Sequence, residues 1–562
     1  MKKVKSLIAD IYGNEKCEEI IERIDILVAK FSSIIPTDKK YQQLSQKDIA
    51  LICYADNIHS TDSKSLKVMS QFFDKNLKDI ISHIHFLPFY PYTSDDGFAV
   101  QNFIEVNSEY GNWKDIEEIG ENFQLIFDAV INHISSQHHW FQQYLQSNPK
   151  YKDYFIEMNE DADVSKVMRA RDLPLLSKFE KGSENKYLWT TFSRDQLDVN
   201  YKNPDVLLEM LEVLFFYISK GASIIRLDAI AYIWKKANSI CINLPETHKI
   251  IMIIRQVIDQ VIRDVMLLPE ANVPSKENLQ YLGNGEDEAQ LIYQFSISPL
   301  VLYTFYSQNS KRLQDYLNQL PELSSSTHFF NVLATHDGIG LRPVRDILNS
   351  DEIDTILNNV EKRDGIISYK REKDGSKTPY EMNITYFDAL QDVENSDEMN
   401  IDKFVAAHAI LLSIQGFPAL YFHSLFGTKN YYEGYKETGQ PRTLNRRKFE
   451  YNELQELLYS EFSHESKVFQ KMNKLLKIRR ENSAFHPNSP QKVLHLSEKI
   501  FSIVRGDENS IIVLINITQT CQKVIIPNQY SKFGLTNIIN NRSIDNRFNL
   551  QPFEIMWLKV KR

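Results

Sequence analysis

Eight short apolar segments, each ending in polar residues, constrain the fold of this chain more than any other feature. They span residues 48–56, 80–91, 124–133, 222–232, 265–272, 289–295, 328–337 and 417–427. Each is rich in β-branched or aromatic residues, as expected of strands buried on both faces of a sheet. Helical patterns lie between several of them, for example at 204–221 and 246–262. Strands alternating with helices in this way predict an α/β fold, a (β/α)8 TIM barrel.

Two long gaps between these segments predict inserted subdomains. Residues 134–200 follow the third strand, are rich in polar and aromatic residues, and are expected to form a small inserted B domain. Residues 341–400 carry many charges and the turn-prone KDGSKTP, which predicts an irregular insertion. Both would lie on the C-terminal face of a barrel formed by residues 1–133 and 201–486, where active sites are built. Alternating strand patterns predict a C-terminal antiparallel β domain at residues 487–562.

Composition and charge exclude several classes of protein. The chain has 562 residues, a formal charge of −9 and a pI near 5.9, which argues against a nucleic-acid or membrane-surface partner. No run of about 18 apolar residues predicts a membrane span. The N-terminal segment reads as an amphipathic helix without the apolar region of a signal peptide. The four cysteines of the chain lie far apart and predict neither a disulfide framework nor a zinc site, so we expect a cytoplasmic protein. We expect it to be a monomer or a homodimer.

Carboxylates follow three of the predicted strands. Asp228 ends the fourth, Glu270 the fifth and Asp337 the seventh. Because barrel strands converge, these residues can face one another across the mouth of the barrel. Cleaving a glycosidic bond with retention needs two carboxyl groups roughly 5–5.5 Å apart, one as nucleophile and one as acid/base. A third carboxylate can bind sugar hydroxyls and support the positive charge of the transition state.

Basic residues accompany these carboxylates: His133 after the third strand, Arg226 two residues before Asp228, and His336 beside Asp337. Arg226 lies on the same side of its strand as Asp228 and can keep that carboxylate ionised. Taken singly, each residue has a structural explanation, such as a helix cap, a buried hydrogen-bonding histidine or a salt-bridge partner. Their common position at strand ends, in this order, favours catalysis.

The segments DAVINH, RLDA, LLPEAN and ATHDG resemble the four short motifs of the α-amylase superfamily of glycoside hydrolases, in order and spacing. The resemblance covers nearly the whole chain. It implies that Asp228 is the nucleophile, Glu270 the general acid/base and Asp337 the stabiliser of the transition state. It further implies that His133, Arg226 and His336 support the substrate directly. Retaining chemistry of this kind needs no cofactor and no metal.

Other segments resemble sucrose phosphorylase and its relatives, which transfer glucose to inorganic phosphate. These segments are HFLPFYPYTSDDGFAV, RLDAIAY, THDGIG and TLNRR. The resemblance implies that Asp95, Phe98 and Arg446 enclose one glucose unit. The expected small-molecule partners are therefore a short α-glucoside and inorganic phosphate.

Two further assignments come from the same resemblance. RARDLPLL looks like the phosphate-contacting loop of these enzymes, which makes Arg171 the main phosphate ligand and Arg169 the second candidate. Arginine suits this role because its guanidinium binds phosphate through two charge-assisted hydrogen bonds. Tyr232 matches a tyrosine that borders the phosphate and acceptor space. The alternative for both arginines is an ordinary exposed loop position.

The acceptor side departs from the sucrose phosphorylase pattern. PYEMN places Glu381 where those enzymes carry Gln, and EANVP places Asn272 where a His is usual. Together with the longer N-terminus, these segments resemble most the glucosylglycerate phosphorylase group, with glucosylglycerol or sucrose phosphorylases as alternatives. A retaining hydrolase or transglucosidase remains a second possibility, and a catalytically inactive amylase-like interaction protein a third.

Overall fold

The computed structural model describes residues 2–36, 43–169, 171–236, 238–371 and 376–561. Its centre is the predicted TIM barrel of eight parallel strands. The strands are β1 Ala50–Cys53, β2 His83–Phe86, β3 Gln124–Ala129, β4 Ala222–Leu227, β5 Met266–Pro269, β6 Leu291–Tyr293, β7 His328–Asn331 and β8 Phe417–Tyr421. Six of these strands are buried along their whole length, and β3 and β5 are buried apart from their first residues, Gln124 and Met266, as the apolar segments predict.

The eight strands pair in the order β5-β4-β3-β2-β1-β8-β7-β6, so strands that follow one another in sequence are neighbours in the sheet. The two end strands, β5 and β6, are joined by a side-chain contact. Leu267 N on β5 donates to Oε1 of Gln290, one residue before β6, at 3.0 Å. In a parallel barrel all carboxyl ends of the strands open at one face. The residues that follow β3, β4, β5 and β7 therefore surround one mouth.

Helices cover the outside of the barrel. The helices that connect successive strands are Ser65–Asn76, Trp113–Gly120, Pro204–Ser219, Pro245–Val261, Ser275–Asn278, Ile297–Ser307, Lys311–Gln319 and Asp397–Ser413. Helices Tyr432–Thr438, Tyr451–Tyr459 and His464–Arg480 follow β8. The N-terminal segment forms a pair of helices, Lys2–Tyr12 and Asn14–Ser32, that packs on Pro204–Ser219 and Pro245–Val261.

The segment between β3 and the next barrel helix carries small sheets. Strand His133–Ser135 pairs with Gln196–Asp198 beside the barrel mouth. Farther out, helix His139–Leu145 is followed by a three-stranded sheet of Glu157–Met158, Leu176–Lys181 and Glu184–Trp189. These elements lie where a B domain over 134–200 is expected, and the domain limits themselves stay our proposal.

The segment 341–400 is more regular than its charge and turn content suggest. It contains helix Ser350–Glu361, whose first turn is closed by a capping box between Asn349 and Glu352. Strands Ile366–Arg371 and Lys377–Asn383 form a hairpin, and Ile339–Gly340 adds a third strand to it. The polar composition therefore reflects a helix that buries only Ile356, Leu357 and Val360, and a hairpin that is mostly half-buried or exposed except at residues 381–383. The second strand of the hairpin carries Glu381 to the barrel mouth.

The C-terminal residues form an antiparallel β domain. Its six-stranded sheet contains Gln491–Val493, Ile500–Arg505, Ile511–Asn516, Ile555–Val560, Leu535–Asn537 and Arg542–Ile544, in that spatial order. Strands Gln522–Ile525 and Arg547–Leu550 form a separate pair. The domain is joined to the barrel by buried contacts, among them Arg505 Nη1 donating to Ser413 O at 2.8 Å.

Candidate active site

A buried arginine at the end of β4 joins two carboxylates. Arg226 Nη1 lies 2.9 Å from Asp228 Oδ1 and also donates to Asp128 Oδ1 on the neighbouring strand β3. Asp128 Oδ2 lies 3.1 Å from His85 Nε2 on β2. All four side chains are buried, and a buried charge is tolerated only with such partners. The network fixes the Asp228 carboxylate at the mouth of the barrel.

Glu270 meets Asp228 from the adjacent strand. Its backbone N–H donates to Leu227 O at 2.9 Å, which extends the pairing of β5 with β4. Its Oε2 accepts a hydrogen bond of 2.9 Å from Ala229 N, just after Asp228. Ala229 has a left-handed backbone with φ 50°, a conformation uncommon outside glycine and typical of sites with a functional constraint.

The Asp228 and Glu270 carboxyl groups differ in the hydrogen-bond donors that contact them. Burial raises the pKa of both Asp228 and Glu270, and Arg226 opposes the shift at each. Asp228 has the guanidinium at 2.9 Å, whereas the hydrogen-bond donor to Glu270 is a neutral backbone amide. Because the guanidinium favours the ionised form of the nearer carboxyl, we expect a proton held by this coupled pair to reside on Glu270. That arrangement would give the ionised group and the protonated group that a retaining mechanism needs.

Asp337 completes the set of carboxylates. Arg442 Nη1 lies 2.5 Å from its Oδ1, and His336 Nε2 lies 3.5 Å from the same atom. Burial alone would raise the pKa of Asp337, but Arg442, His336 and Arg446 outweigh it and hold this pKa below its ordinary range. Asp337 is therefore ionised and suited to support positive charge.

An aromatic wall faces these carboxylates. The Phe98 ring stacks on the His336 ring, with centroids 4.8 Å apart and planes 7° from parallel. His133 Nε2 lies 2.9 Å from Phe98 O. Burial lowers the pKa of His133 to about 4 and that of His336 to about 3, so both rings are neutral and His133 Nε2 donates its hydrogen to the carbonyl.

A strained turn presents Asp95 and Phe98 to the cavity. Asp95 and Asp96 have left-handed φ values of 54° and 49°, and Gly97 has φ 108°. A Cβ on Gly97 would lie 2.5 Å from Pro88 O, so only glycine fits there. Asp96 Oδ2 accepts from Arg446 Nη1 at 2.6 Å, and this ion pair holds the turn.

The enclosed space is a cavity of about 290 Å³ at the barrel mouth. It is bordered by most of the residues that sequence analysis assigns to the site. They are Asp95, Phe98, His133, Arg169, Arg171, Asp228, Tyr232, Glu270, Asn272, His336, Asp337 and Glu381. Arg226 and Arg446 lie behind its wall, where they hold other side chains and Arg446 Nε donates to His336 O at 2.8 Å. Neither arginine borders the cavity in this arrangement, and the assignment of both as substrate-binding residues stays a prediction.

The two arginines expected to bind phosphate, Arg171 and Arg169, have different contacts. Arg171 Nη2 donates to Asp95 Oδ2 at 2.8 Å, and its guanidinium lies over the Phe192 ring at 5.6 Å. Arg169 Nε is buried without a hydrogen-bond partner among the described residues, and burial lowers the pKa of Arg169. Arg171 therefore pairs with Asp95, the carboxylate expected to contact glucose, and also borders the cavity.

Sequence reasoning missed several residues of the site. Arg442 is the most important, because it donates to both oxygens of Glu381 at 3.1 and 2.7 Å while contacting Asp337. Nothing local in its surroundings signals this role. Asp128 could have been found, since it is a charged residue within an apolar strand and pairs in register with Arg226. Gln196, which donates to Phe98 O at 3.2 Å, and Arg342 also border the cavity.

The described residues contain neither a candidate metal site nor a candidate membrane-spanning helix. Over the described ranges no group of three or more His, Cys, Asp and Glu side chains could hold a metal ion. Within the same ranges no helix is both long and apolar enough to cross a bilayer.

The barrel and its facing carboxylates define the class of the protein, a glycoside-processing enzyme with an α-amylase type of catalytic domain. The family model described as alpha amylase, catalytic domain, matches residues 75–338. Glucosylglycerate phosphorylase of Escherichia coli strain K12 is 38% identical over 99% of this chain and 100% of its own length. The enzyme of the same name from Allomeiothermus silvanus is 41% identical over 98% of this chain and 96% of its own.

Solved structures agree with these relatives. Sucrose 6F-phosphate phosphorylase from Thermoanaerobacter thermosaccharolyticum superposes with a TM-score of 0.74 and 25% identity, covering 84% of this chain and 94% of that one. The chain therefore belongs to the glycoside phosphorylases of the alpha-amylase family, which are hexosyltransferases.

Proposed function

We propose that this protein catalyses the reversible phosphorolysis of 2-O-α-D-glucosyl-D-glycerate to α-D-glucose 1-phosphate and D-glycerate. Its full-length similarity to relatives named glucosylglycerate phosphorylases supports the proposal. The structural observation that carries it is the charge of the cavity. Phosphate and glycerate are both anions, and their binding beside the catalytic carboxylates requires an excess of cations.

The cavity lining meets this requirement. Five carboxylates border it, and so do six basic residues, namely Arg169, Arg171, Arg342, Arg345, Lys370 and Arg442. Arg442 offsets Glu381 and Asp337, and Arg171 offsets Asp95. Among the described residues no ion pair joins Arg169, Arg342 or Arg345 to a carboxylate. These three guanidinium groups supplement Arg171, which also borders the cavity and stays the main phosphate candidate.

Arg442 also removes an objection to a charged acceptor. Glu381 is buried at the acceptor side, and an unpaired carboxylate there would repel glycerate. The two hydrogen bonds from Arg442 neutralise Glu381, so the remaining cations can act on the incoming carboxylate. Burial raises the pKa of Tyr232 to about 12, which keeps its hydroxyl protonated beside Arg342 and able to donate.

The chemistry proceeds by two displacements. Asp228 attacks the anomeric carbon while Glu270 gives its proton to the departing glycerate oxygen, and a glucosyl ester of Asp228 forms. A phosphate oxygen then attacks the same carbon, the ester bond breaks, and Glu270 takes up the proton that phosphate loses. Asp337 supports the positive charge at both transition states. Two inversions restore the α configuration, so proton NMR of the first product should show α-glucose 1-phosphate.

The deciding experiment measures kcat/KM in the synthetic direction, from glucose 1-phosphate, with D-glycerate, L-glycerate, glycerol and fructose. We expect D-glycerate to exceed fructose and glycerol by about ten- to a hundredfold, because unpaired buried polar groups cost about 1–3 kcal/mol. A preference for glycerol would select glucosylglycerol phosphorolysis, and a preference for fructose would select sucrose phosphorolysis. Glucose released without any need for phosphate would point to a hydrolase.

We also propose that the protein acts in the cytoplasm. Its four cysteines are free thiols, three of them buried. Free thiols suit a reducing compartment, whereas oxidising compartments favour disulfides. Cell fractionation with an antibody against the chain tests the location.

A further inference from the structure

A second, smaller cavity lies outside the barrel, between its helical layer and the C-terminal β domain. Its volume is about 90 Å³, compared with about 290 Å³ at the barrel mouth. It is bordered by Lys403, Arg363, Asp392, Gln519 and Phe553, among others. None of these residues borders the catalytic cavity. The space is therefore distinct from the active site.

Lys403 is the unusual residue of this cavity. It lies in the middle of helix Asp397–Ser413, among almost wholly buried neighbours, and is only 4% exposed. Over the described residues no hydrogen bond or ion pair joins its Nζ to another side chain, and this Nζ lies 6.0 Å from the centroid of the Phe553 ring. A buried lysine without a partner costs free energy unless a ligand supplies one.

Arg363 adds a second cation from another element. It follows helix Ser350–Glu361, and its Nε and Nη1 are held by the carbonyls of Gln391 and Asn359 at 2.5 and 2.9 Å. Its Nη2 has no hydrogen-bond acceptor within the described part of the chain. The guanidinium is thus fixed in place with one donor unused, beside a lysine with none of its donors used.

One carboxylate, Asp392, accompanies these two cations. Its Oδ2 accepts a long hydrogen bond of 3.4 Å from Gln519 Nε2, and it forms no ion pair with Lys403 or Arg363 among the described residues. Burial, and then the charge of Arg363, lowers the pKa of Lys403 to about 8, and the charge of Asp392 opposes this shift only in part. The cavity therefore keeps a net positive charge.

We propose that this cavity binds a small oxyanion, inorganic phosphate, at a site separate from catalysis. Lys403 on a helix, Arg363 in the turn after another helix and an amide donor on the β domain match the acceptor oxygens of one tetrahedral anion. The cavity has about a third of the volume of the active site, too little for a hexose phosphate. Because its walls come from the barrel, the 341–400 segment and the β domain, an occupant would tie these three parts together and stabilise the folded chain.

Crystals of the unaltered protein soaked in tungstate test the site without any substitution. We expect an anomalous peak within hydrogen-bonding distance of Lys403 Nζ and Arg363 Nη2. In solution, the rise of Tm with inorganic phosphate at constant ionic strength is compared between wild type, Lys403→Met and a matched control, Lys474→Met on an exposed position. Lys403→Met should weaken the stabilising phosphate site about tenfold or more while the phosphate KM of catalysis is unchanged.

The remaining measurements identify the ligand and define the results that would overturn the proposal. D-glycerate and glucose 1-phosphate replace phosphate in the same Tm series, and an equal loss in Lys403→Met with glycerate would make a carboxylate the ligand and overturn the choice of phosphate. No tungstate peak in this cavity overturns the proposal. A peak together with identical phosphate-dependent Tm rises in wild type and Lys403→Met would mean an adventitious ion only, which also overturns it.

Discussion

Arg442 holds the Glu381 carboxylate through two hydrogen bonds, from Nε to Oε1 at 3.1 Å and from Nη2 to Oε2 at 2.7 Å. The third nitrogen of the same guanidinium, Nη1, lies 2.5 Å from Asp337 Oδ1. One arginine thus connects a catalytic-side carboxylate with the residue expected to choose the acceptor. The two functions of the cavity are coupled through a single rigid group.

Replacing Arg442 should therefore affect stability and acceptor use together. Arg442→Met leaves Glu381 buried without its partner, and breaking such a pair costs about 3–5 kcal/mol. We expect the free energy of unfolding in urea to fall by an amount of this order. Adding Glu381→Gln to Arg442→Met should recover part of the loss, because the unpaired charge is removed. If the double variant is as unstable as the sum of the two single variants, the pair does not interact as described.

Asp228→Ala and Glu270→Gln should each remove nearly all phosphorolysis while leaving the thermal melt close to that of the wild type. The two variants should differ with α-glucosyl fluoride as donor. Fluoride leaves without protonation, so Glu270→Gln should still form the glucosyl ester, whereas Asp228→Ala should not. Quenched samples analysed by intact-protein mass spectrometry measure the ester directly. An ester in the Asp228→Ala variant would rule out this nucleophile.

The raised pKa of Glu270 predicts an alkaline limit to activity. Because burial raises its pKa in the folded protein, Glu270 holds its proton at pH values below that raised pKa and loses it above. Phosphorolysis should fall as pH rises through this value, which lies above the ordinary glutamate pKa of about 4.3. The profile of kcat/KM against pH measures it. The same profile with α-glucosyl fluoride should lack the alkaline fall, since the first step then needs no acid.

Arg171→Ala should raise the phosphate KM by about ten- to a hundredfold, because a hydrogen bond to a charged group contributes about 1.5–3 kcal/mol. Its ion pair with Asp95 adds a second expectation, since release of Asp95 should also raise the KM for the glucoside. Arg169→Ala is the matched control, as Arg169 borders the same cavity without an ion pair to Asp95. A larger phosphate effect in Arg169→Ala would transfer the phosphate role to that residue.

Gly97→Ala should damage activity through the turn that presents Asp95 and Phe98. The new Cβ would lie 2.5 Å from Pro88 O at a φ of 108°, and such strain costs about 1–3 kcal/mol. We expect kcat/KM to fall more than tenfold with a modest drop in Tm. Gly182→Ala is the control, because Gly182 has φ 62° with nothing within 4 Å of the added Cβ. Equal losses of activity in both variants would contradict this account.

The sequence alone determined the barrel and the places of its carboxylates. Apolar segments of strand length are local patterns, and a polar residue just after each one must lie at the carboxyl face of a parallel barrel. Asp228, Glu270 and Asp337 could be located by that rule without knowledge of any contact. The inserted domain after β3 was predicted only as a long polar and aromatic segment, and the C-terminal β domain was predicted from its alternating strand pattern.

Only the tertiary structure decided which charges pair. Arg442 contacts Glu381 across 61 positions of sequence, and Arg446 contacts Asp96 across 350. Such pairs depend on how the 341–400 hairpin and the turn after β2 pack over the barrel mouth. Local hydrophobic periodicity in the sequence does not specify this packing. Tertiary packing also set Arg226 and Arg446 outside the cavity lining and, among the described residues, left Lys403 buried without a hydrogen-bond or ion-pair partner. A charged residue can be identified from the sequence. Its role, however, depends on which distant residues hydrogen-bond or pair with it in the folded chain.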